Sequence, residues 1–135
     1  GGRVVGVIPQ TLVEREHAHH GCHELLIVDT MHERKRLMAE HANAFLALPG
    51  GIGTFEEFFE VWTWRQLGYH DKPIGLLNQD GYYQRLLDFI AHSIASGFMD
   101  GSQMKLMHAG SDWQAMLEKL VTAAGFPGPV QLHAI

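Results

Sequence analysis

With 135 residues, 46% of them hydrophobic and 19% charged, the chain has the size and balance of one folded domain that buries about two-thirds of its unfolded surface. A net charge of −5, with ten Lys and Arg scattered rather than blocked, argues against a nucleic-acid backbone as partner. The single cysteine, Cys22, cannot make an internal disulfide and reads as a buried or inert thiol; no apolar run approaches the ~20 residues that span a bilayer, and no charged-then-apolar leader opens the chain, so the expected location is cytoplasmic.

Gly1-Gly2 leads directly into Val4-Val5-Gly6-Val7-Ile8, a β-rich run that stops at Pro9, which cannot donate to a ladder. Leu25-Leu26-Ile27-Val28 is a second strand, ended by Asp29. Residues 31–41 follow as a helix with Met31, Arg34, Lys35 and Met38 on one stripe. Ala44-Phe45-Leu46-Ala47-Leu48 is a third strand, stopping at Pro49-Gly50-Gly51. Residues 54–67 form a helix with Phe55, Phe58, Phe59 and Trp62 on one face; Glu57, Val61 and Trp64 share the opposite one. Ile74-Gly75-Leu76-Leu77 is a fourth strand, and residues 82–96 a core-facing helix before a C-cap at Gly97. A short strand near Leu106 precedes a last helix, opened by a capping box at Ser111-Asp112-Trp113-Gln114 and closed by Gly125. Residues 1–126 are thus expected to be one domain, with an irregular tail from Pro127.

Short apolar strands alternating with helices predict an α/β, Rossmann-like fold: a mainly parallel sheet with helices on both faces, and ligands at the carboxyl ends of the strands. The abrupt start suggests that these residues are a fragment.

The turn after the third strand carries the strongest chemical signal. In Leu48-Pro49-Gly50-Gly51-Ile52-Gly53-Thr54, three glycines let the backbone approach a ligand closely. The amides of a new helix, its macrodipole and the Thr54 hydroxyl converge there, enough to hold a phosphate without a lysine. Walker A and GxGxxG spacings are absent, so a triphosphate or dinucleotide is not indicated. The same stretch also reads as a purely structural capping box, Thr54-Phe55-Glu56-Glu57, with Thr54 as the cap. Met31-His32-Glu33-Arg34-Lys35 forms a second cluster at the same sheet edge, where Arg34 can make bidentate hydrogen bonds and Lys35 adds a point charge. The alternative there is a solvated basic stretch paired with Glu33 and Glu40. A helix apolar on two faces predicts a homodimer whose interface runs beside Glu57.

Met31-His32-Glu33-Arg34-Lys35 followed by Pro49-Gly50-Gly51-Ile52-Gly53-Thr54-Phe55-Glu56-Glu57 resembles the paired signature MHxRK and PGGxGTxxE of the Lonely Guy family, long labelled lysine decarboxylases. The resemblance extends through Ala18-His19-His20-Gly21, Lys72-Pro73-Ile74-Gly75-Leu76-Leu77 and Gly81-Tyr82-Tyr83, covering residues 4–100. It implies hydrolysis of the N-glycosidic bond of nucleoside 5′-monophosphates, typically N6-substituted adenine nucleotides, without metal or organic cofactor. By motif position, Pro49, Gly50, Gly51, Gly53 and Thr54 would hold the phosphate, Met31 and Lys35 would line the nucleotide pocket, and Arg34 and Glu57 would be catalytic. The family also has two further strands upstream, with glycine-rich turns that complete the pocket.

Three competing readings are weaker. His17, His19, His20, Cys22 and His23 crowd together, but no second ligand cluster has structural-zinc spacing, so no metal is expected. A pyridoxal-phosphate decarboxylase needs a Schiff-base lysine, and Lys35, Lys72, Lys105 and Lys119 lack that context. A nucleotide carrier of the same fold would bind a phosphorylated ligand without cutting it; the Arg34 and Glu57 pair speaks for an enzyme.

Overall fold

The computed structural model describes residues 2–13 and 21–126. They form two compact units, the first running to Ala42 and the second starting at Asn43. In both, the strands pair in parallel and alternate with helices, so the fold is the α/β, Rossmann-like one expected.

The first unit contains β1 (Val5–Pro9), α1 (Gln10–Val13), β2 (Glu24–Val28) and α2 (Met31–His41). β1 and β2 run in register from Val5↔Glu24 to Pro9↔Val28, and Ile8 and Val28 are buried at their carboxyl ends. Pro9 closes β1 rather than standing just beyond it; at the last position of a strand its missing N–H costs little. α2 has the predicted bounds but buries no residue, and Met31 and Met38 are exposed. The stripe read from its periodicity is therefore a surface in this unit, because two strands offer little area to cover a helix face. Cys22 is half-buried, not fully enclosed. His17, Ala18, His19, His20 and the tail from Pro127 lie outside the described residues, among which no three His, Cys, Asp or Glu side chains gather to hold a metal.

The second unit contains β3 (Phe45–Ala47), α3 (Ile52–Gln66), β4 (Ile74–Leu77), α4 (Gln84–Ala95), β5 (Met107–Gly110) and α5 (Trp113–Ala123). Its sheet has the order β3-β4-β5, with Phe45↔Ile74 and Ile74↔Met107 in register. All of β4 is buried, as the central strand of a parallel sheet should be. Phe58 and Trp62 of α3, Ile74 and Leu76 of β4, Tyr83, Ile90 of α4 and Met107 of β5 form one core. Trp62 places its indole N–H on the Gln103 carbonyl, 3.0 Å away, so its buried polar atom is satisfied. The Phe55, Phe58, Phe59 and Trp62 stripe is only partly interior, since Phe59 is exposed and stacks on Trp62. On the opposite face Val61 packs against the same core, which gives its apolar character a cause within this unit.

Helix ends follow the sequence better than helix starts. α4 ends with Gly97 left-handed and with Gly97 N–H on Ile94 and Phe98 N–H on Ser93, the paired bonds of a Schellman motif; Gly125 ends α5 likewise. α4 begins two residues after the expected Tyr82, because Asp80 (φ 52) and Gly81 (φ 74) first take the chain through a tight 3-10 turn. α5 is capped by Asp112, whose carboxylate accepts from Ala115 N–H at 2.8 Å, rather than by a Ser111 box; Asp112 is the residue in extended conformation immediately before the first turn. Among the described residues no helix is long and apolar enough to cross a membrane.

Candidate functional site

The carboxyl ends of β3, β4 and β5 lie at one edge of the second unit's sheet, and the glycine turn leaves from β3 there. α3 begins at Ile52, two residues earlier than predicted, with Gly51 as an extended N-cap that offers no side-chain hydrogen bond. The first intrahelical bond runs from Phe55 N–H to Gly51 C=O at 3.1 Å. The amides of Ile52, Gly53 and Thr54 therefore have no acceptor within the helix, and they gather at its positive end. Gly51, Ile52 and Gly53 are exposed, so an anion could reach them.

This start corrects the capping-box reading of Thr54-Phe55-Glu56-Glu57. A cap must stand outside the helix in extended conformation, and Thr54 is the third helical residue. Its hydroxyl instead folds back against Gly50: a Cβ at residue 50 would overlap Thr54 Oγ1 and lie 3.0 Å from Thr54 Cβ. None of Gly50, Gly51 and Gly53 has a positive φ. Gly50 is required by a close approach, not by a left-handed backbone.

Two tyrosines hold this turn from the neighbouring strand's loop. Tyr83, buried at 1% exposure, donates its hydroxyl to the Leu48 carbonyl at 2.6 Å, and Tyr82 donates to the Gly50 carbonyl at 2.8 Å. Their rings meet edge to face at 4.8 Å. Asn78 seats the loop in turn, accepting Tyr83 N–H at 2.7 Å while its own N–H bonds Gly110 of β5 at 2.8 Å. Burial raises the Tyr83 phenol above its ordinary value, with the Gly50 backbone pulling the other way, so the hydroxyl stays a donor at neutral pH. In the sequence Gly81-Tyr82-Tyr83 stands out only through the family resemblance; the local signal for its role is that a buried tyrosine needs a polar partner.

Glu57 is half-buried on α3, one turn beyond Gly53. In the first unit Met31 is exposed at the start of α2, and Arg34 and Lys35 are half-buried in its first two turns. Thr30 caps that helix, accepting Glu33 N–H at 3.1 Å, and Glu33 reaches back to Asp29 N–H at 3.1 Å. Glu40 pairs with Arg36 at 2.6 Å. Glu33 thus serves the cap, and Glu40 an ion pair with Arg36. The structure keeps Met31, Arg34 and Lys35 together in one unit, and Pro49, Gly50, Gly51, Gly53, Thr54 and Glu57 together in the other. An open groove of about 590 Å³ lined by Arg65, Gly68, His70, Asp71 and Leu106 belongs to the opposite end of α3. There His70 is spent on structure, with Nε2 on Val61 C=O at 2.9 Å and Nδ1 accepting Lys72 N–H at 3.1 Å.

The family model described as "Possible lysine decarboxylase" matches residues 1–120. A cytokinin riboside 5′-monophosphate phosphoribohydrolase of Rhodococcoides fascians is 57% identical over 100 residues, 73% of this chain and 50% of that protein. The corresponding LOG5 protein of Arabidopsis thaliana is 48% identical over 120 residues, 89% of this chain and 53% of the relative. A probable one of rice, LOGL2, is 49% identical over 121 residues, 89% of this chain and 50% of the relative. The chain spans about half the length of these curated relatives. With an uncapped, glycine-lined helix start where the signature puts its phosphate turn, and a family match over 120 of 135 residues, the chain belongs to the Lonely Guy family.

Proposed function

We propose that the full-length protein hydrolyses the N-glycosidic bond of N6-substituted adenosine 5′-monophosphates, releasing free base and ribose 5-phosphate. The observation that carries this reading is the start of α3: amides without a side-chain cap, an extended Gly51, and Thr54 folded against Gly50. A phosphate monoester suits such a cradle, since it accepts several hydrogen bonds at the positive end of a helix. The names of the relatives supply the substrate class.

In this reading Pro49, Gly50, Gly51, Gly53 and Thr54 shape the phosphate site, and Met31 and Lys35 line the nucleotide pocket. Breaking the bond builds positive charge on the ribose ring and negative charge on the departing base. Glu57 stabilises the first or orients the attacking water, and Arg34 serves the second as a hydrogen-bond donor to the base or a clamp on the phosphate. One carboxylate in this position departs from the two-carboxylate scheme of glycosidases. The enzyme works as a cytoplasmic homodimer with the site near the subunit seam, and without a metal or organic cofactor.

Glu57→Gln tests the assignment, because it keeps shape and hydrogen bonding and removes the charge. In the full-length protein the variant should melt close to the parent temperature while adenine release from adenosine monophosphate falls about 100-fold or more. Undiminished release would strip Glu57 of its role. Parent protein that binds the nucleotide without cutting it would instead be a carrier.

A further inference from the structure

The two tyrosines after β4 are not part of the phosphate signature, yet the Tyr82 hydroxyl ends on it and the Tyr83 hydroxyl on Leu48 just before it. A trans peptide points its C=O and N–H in opposite directions, and among the described residues no peptide bond is cis. The Gly50 carbonyl and the Gly51 amide belong to the same peptide plane. When Tyr82 Oη holds the Gly50 oxygen at 2.8 Å, it also sets the direction of the Gly51 N–H, away from the tyrosine. Leu48 C=O shares its plane with Pro49 nitrogen, which carries no hydrogen, so the Tyr83 bond at 2.6 Å aims no donor through that peptide; it fixes where the turn leaves β3, and the Tyr83 oxygen also meets the Gly50 backbone. Between them the carbonyls of residues 48 and 50 are tied down, and the Gly51 amide is left turned away from the tyrosines.

We propose that Tyr82 and Tyr83 are positioning residues of the anion-binding turn, with Tyr82 aiming the Gly51 amide at the phosphate through the Gly50–Gly51 peptide. The proposal rests on the phosphoribohydrolase reading. The brace is rigid at its base: Asn78 accepts Tyr83 N–H at 2.7 Å, and the left-handed Asp80 and Gly81 deliver both rings to the turn. Tyr82 is the more informative of the pair. Its side chain is exposed, its ring packs edge to face on Tyr83, and its hydroxyl has the Gly50 carbonyl as partner, so deleting that hydroxyl removes the aim and leaves the packing.

Tyr82→Phe in the full-length protein should therefore melt like the parent while its KM for adenosine monophosphate rises about 3- to 10-fold, the range expected for one lost hydrogen bond, with kcat within about 2-fold. One weakened contact to the phosphate, held alike in ground state and transition state, shows in KM with kcat unchanged. Tyr83→Phe should raise KM similarly but also lower the melting temperature, as a buried hydroxyl's partner is lost. Trp62→Phe, which deletes a hydrogen bond to Gln103 away from the turn, is the control: it should cost stability and leave KM unchanged. An unaltered KM in Tyr82→Phe overturns the proposal. So does a rise seen in Tyr82→Ala but not in Tyr82→Phe, which would make the ring, not the hydroxyl, the contact. In both cases an active parent leaves the phosphoribohydrolase reading standing. A parent that neither binds ribose 5-phosphate nor releases adenine defeats that reading and the brace together.

Discussion

The starts of α2 and α3 are built from similar parts and finished differently. Each helix leaves the carboxyl end of a parallel strand. At α2 the chain satisfies its own amides, with Thr30 accepting Glu33 N–H and Glu33 returning to Asp29 N–H. At α3 the cap is Gly51, which has no side chain to offer, and the only hydroxyl of that first turn, Thr54, lies against Gly50 instead. A self-capped helix start has committed one of its donors to its own hydroxyl and set a carboxylate beside the turn, which disfavours an anion. An uncapped one is a cost to the helix that a ligand can recover, and the proposed phosphate site rests on this difference.

The largest way to break the contrast is Gly50→Ala. The new Cβ would overlap Thr54 Oγ1, and rotating the hydroxyl away leaves Thr54 Cβ 3.0 Å from it. Denaturant unfolding should report a loss of about 1–3 kcal/mol, and phosphate-ester binding followed by calorimetry should fall with it. A stable, tightly binding variant would show that the close approach is incidental.

Gly51→Asp sharpens the contrast by giving α3 the cap that α2 already has. Gly51 is extended and its Cβ position is open, so the side chain fits. Stability should rise by a few tenths of a kcal/mol, whereas nucleotide affinity should drop about 10-fold or more, because the carboxylate occupies the amides and repels the phosphate. Opposite signs in the two measurements are the point; parallel changes would contradict it.

The smallest effect belongs to Thr30→Ala. Removing the α2 cap should cost about 1 kcal/mol in chemical denaturation, with Thr30→Ser recovering most of it. No loss would mean that Glu33 alone serves this helix start.

Much of the architecture was legible from the chain. β2, β4 and α2 fall where apolar runs and their breakers put them, and Gly97 and Gly125 close their helices as expected, because each of these signals is carried by a handful of adjacent residues. The position of the candidate phosphate turn was equally local, three glycines between an apolar strand and a helix. What the chain left open were choices among near-equivalent neighbours. Gly51 rather than Thr54 caps α3, and Asp112 rather than Ser111 caps α5, since several residues could serve and packing of the helix selects the one that does.

The braces on the turn were decided only by the tertiary structure. Tyr82 reaches Gly50 across 32 residues and Tyr83 reaches Leu48 across 35. Contacts of that span leave no periodicity in the sequence; they exist because parallel strands bring the loops after β3 and β4 to one edge. Adjacent residues could announce that an anion-binding turn was present, while the direction of its amides depends on groups that meet only once the sheet has formed.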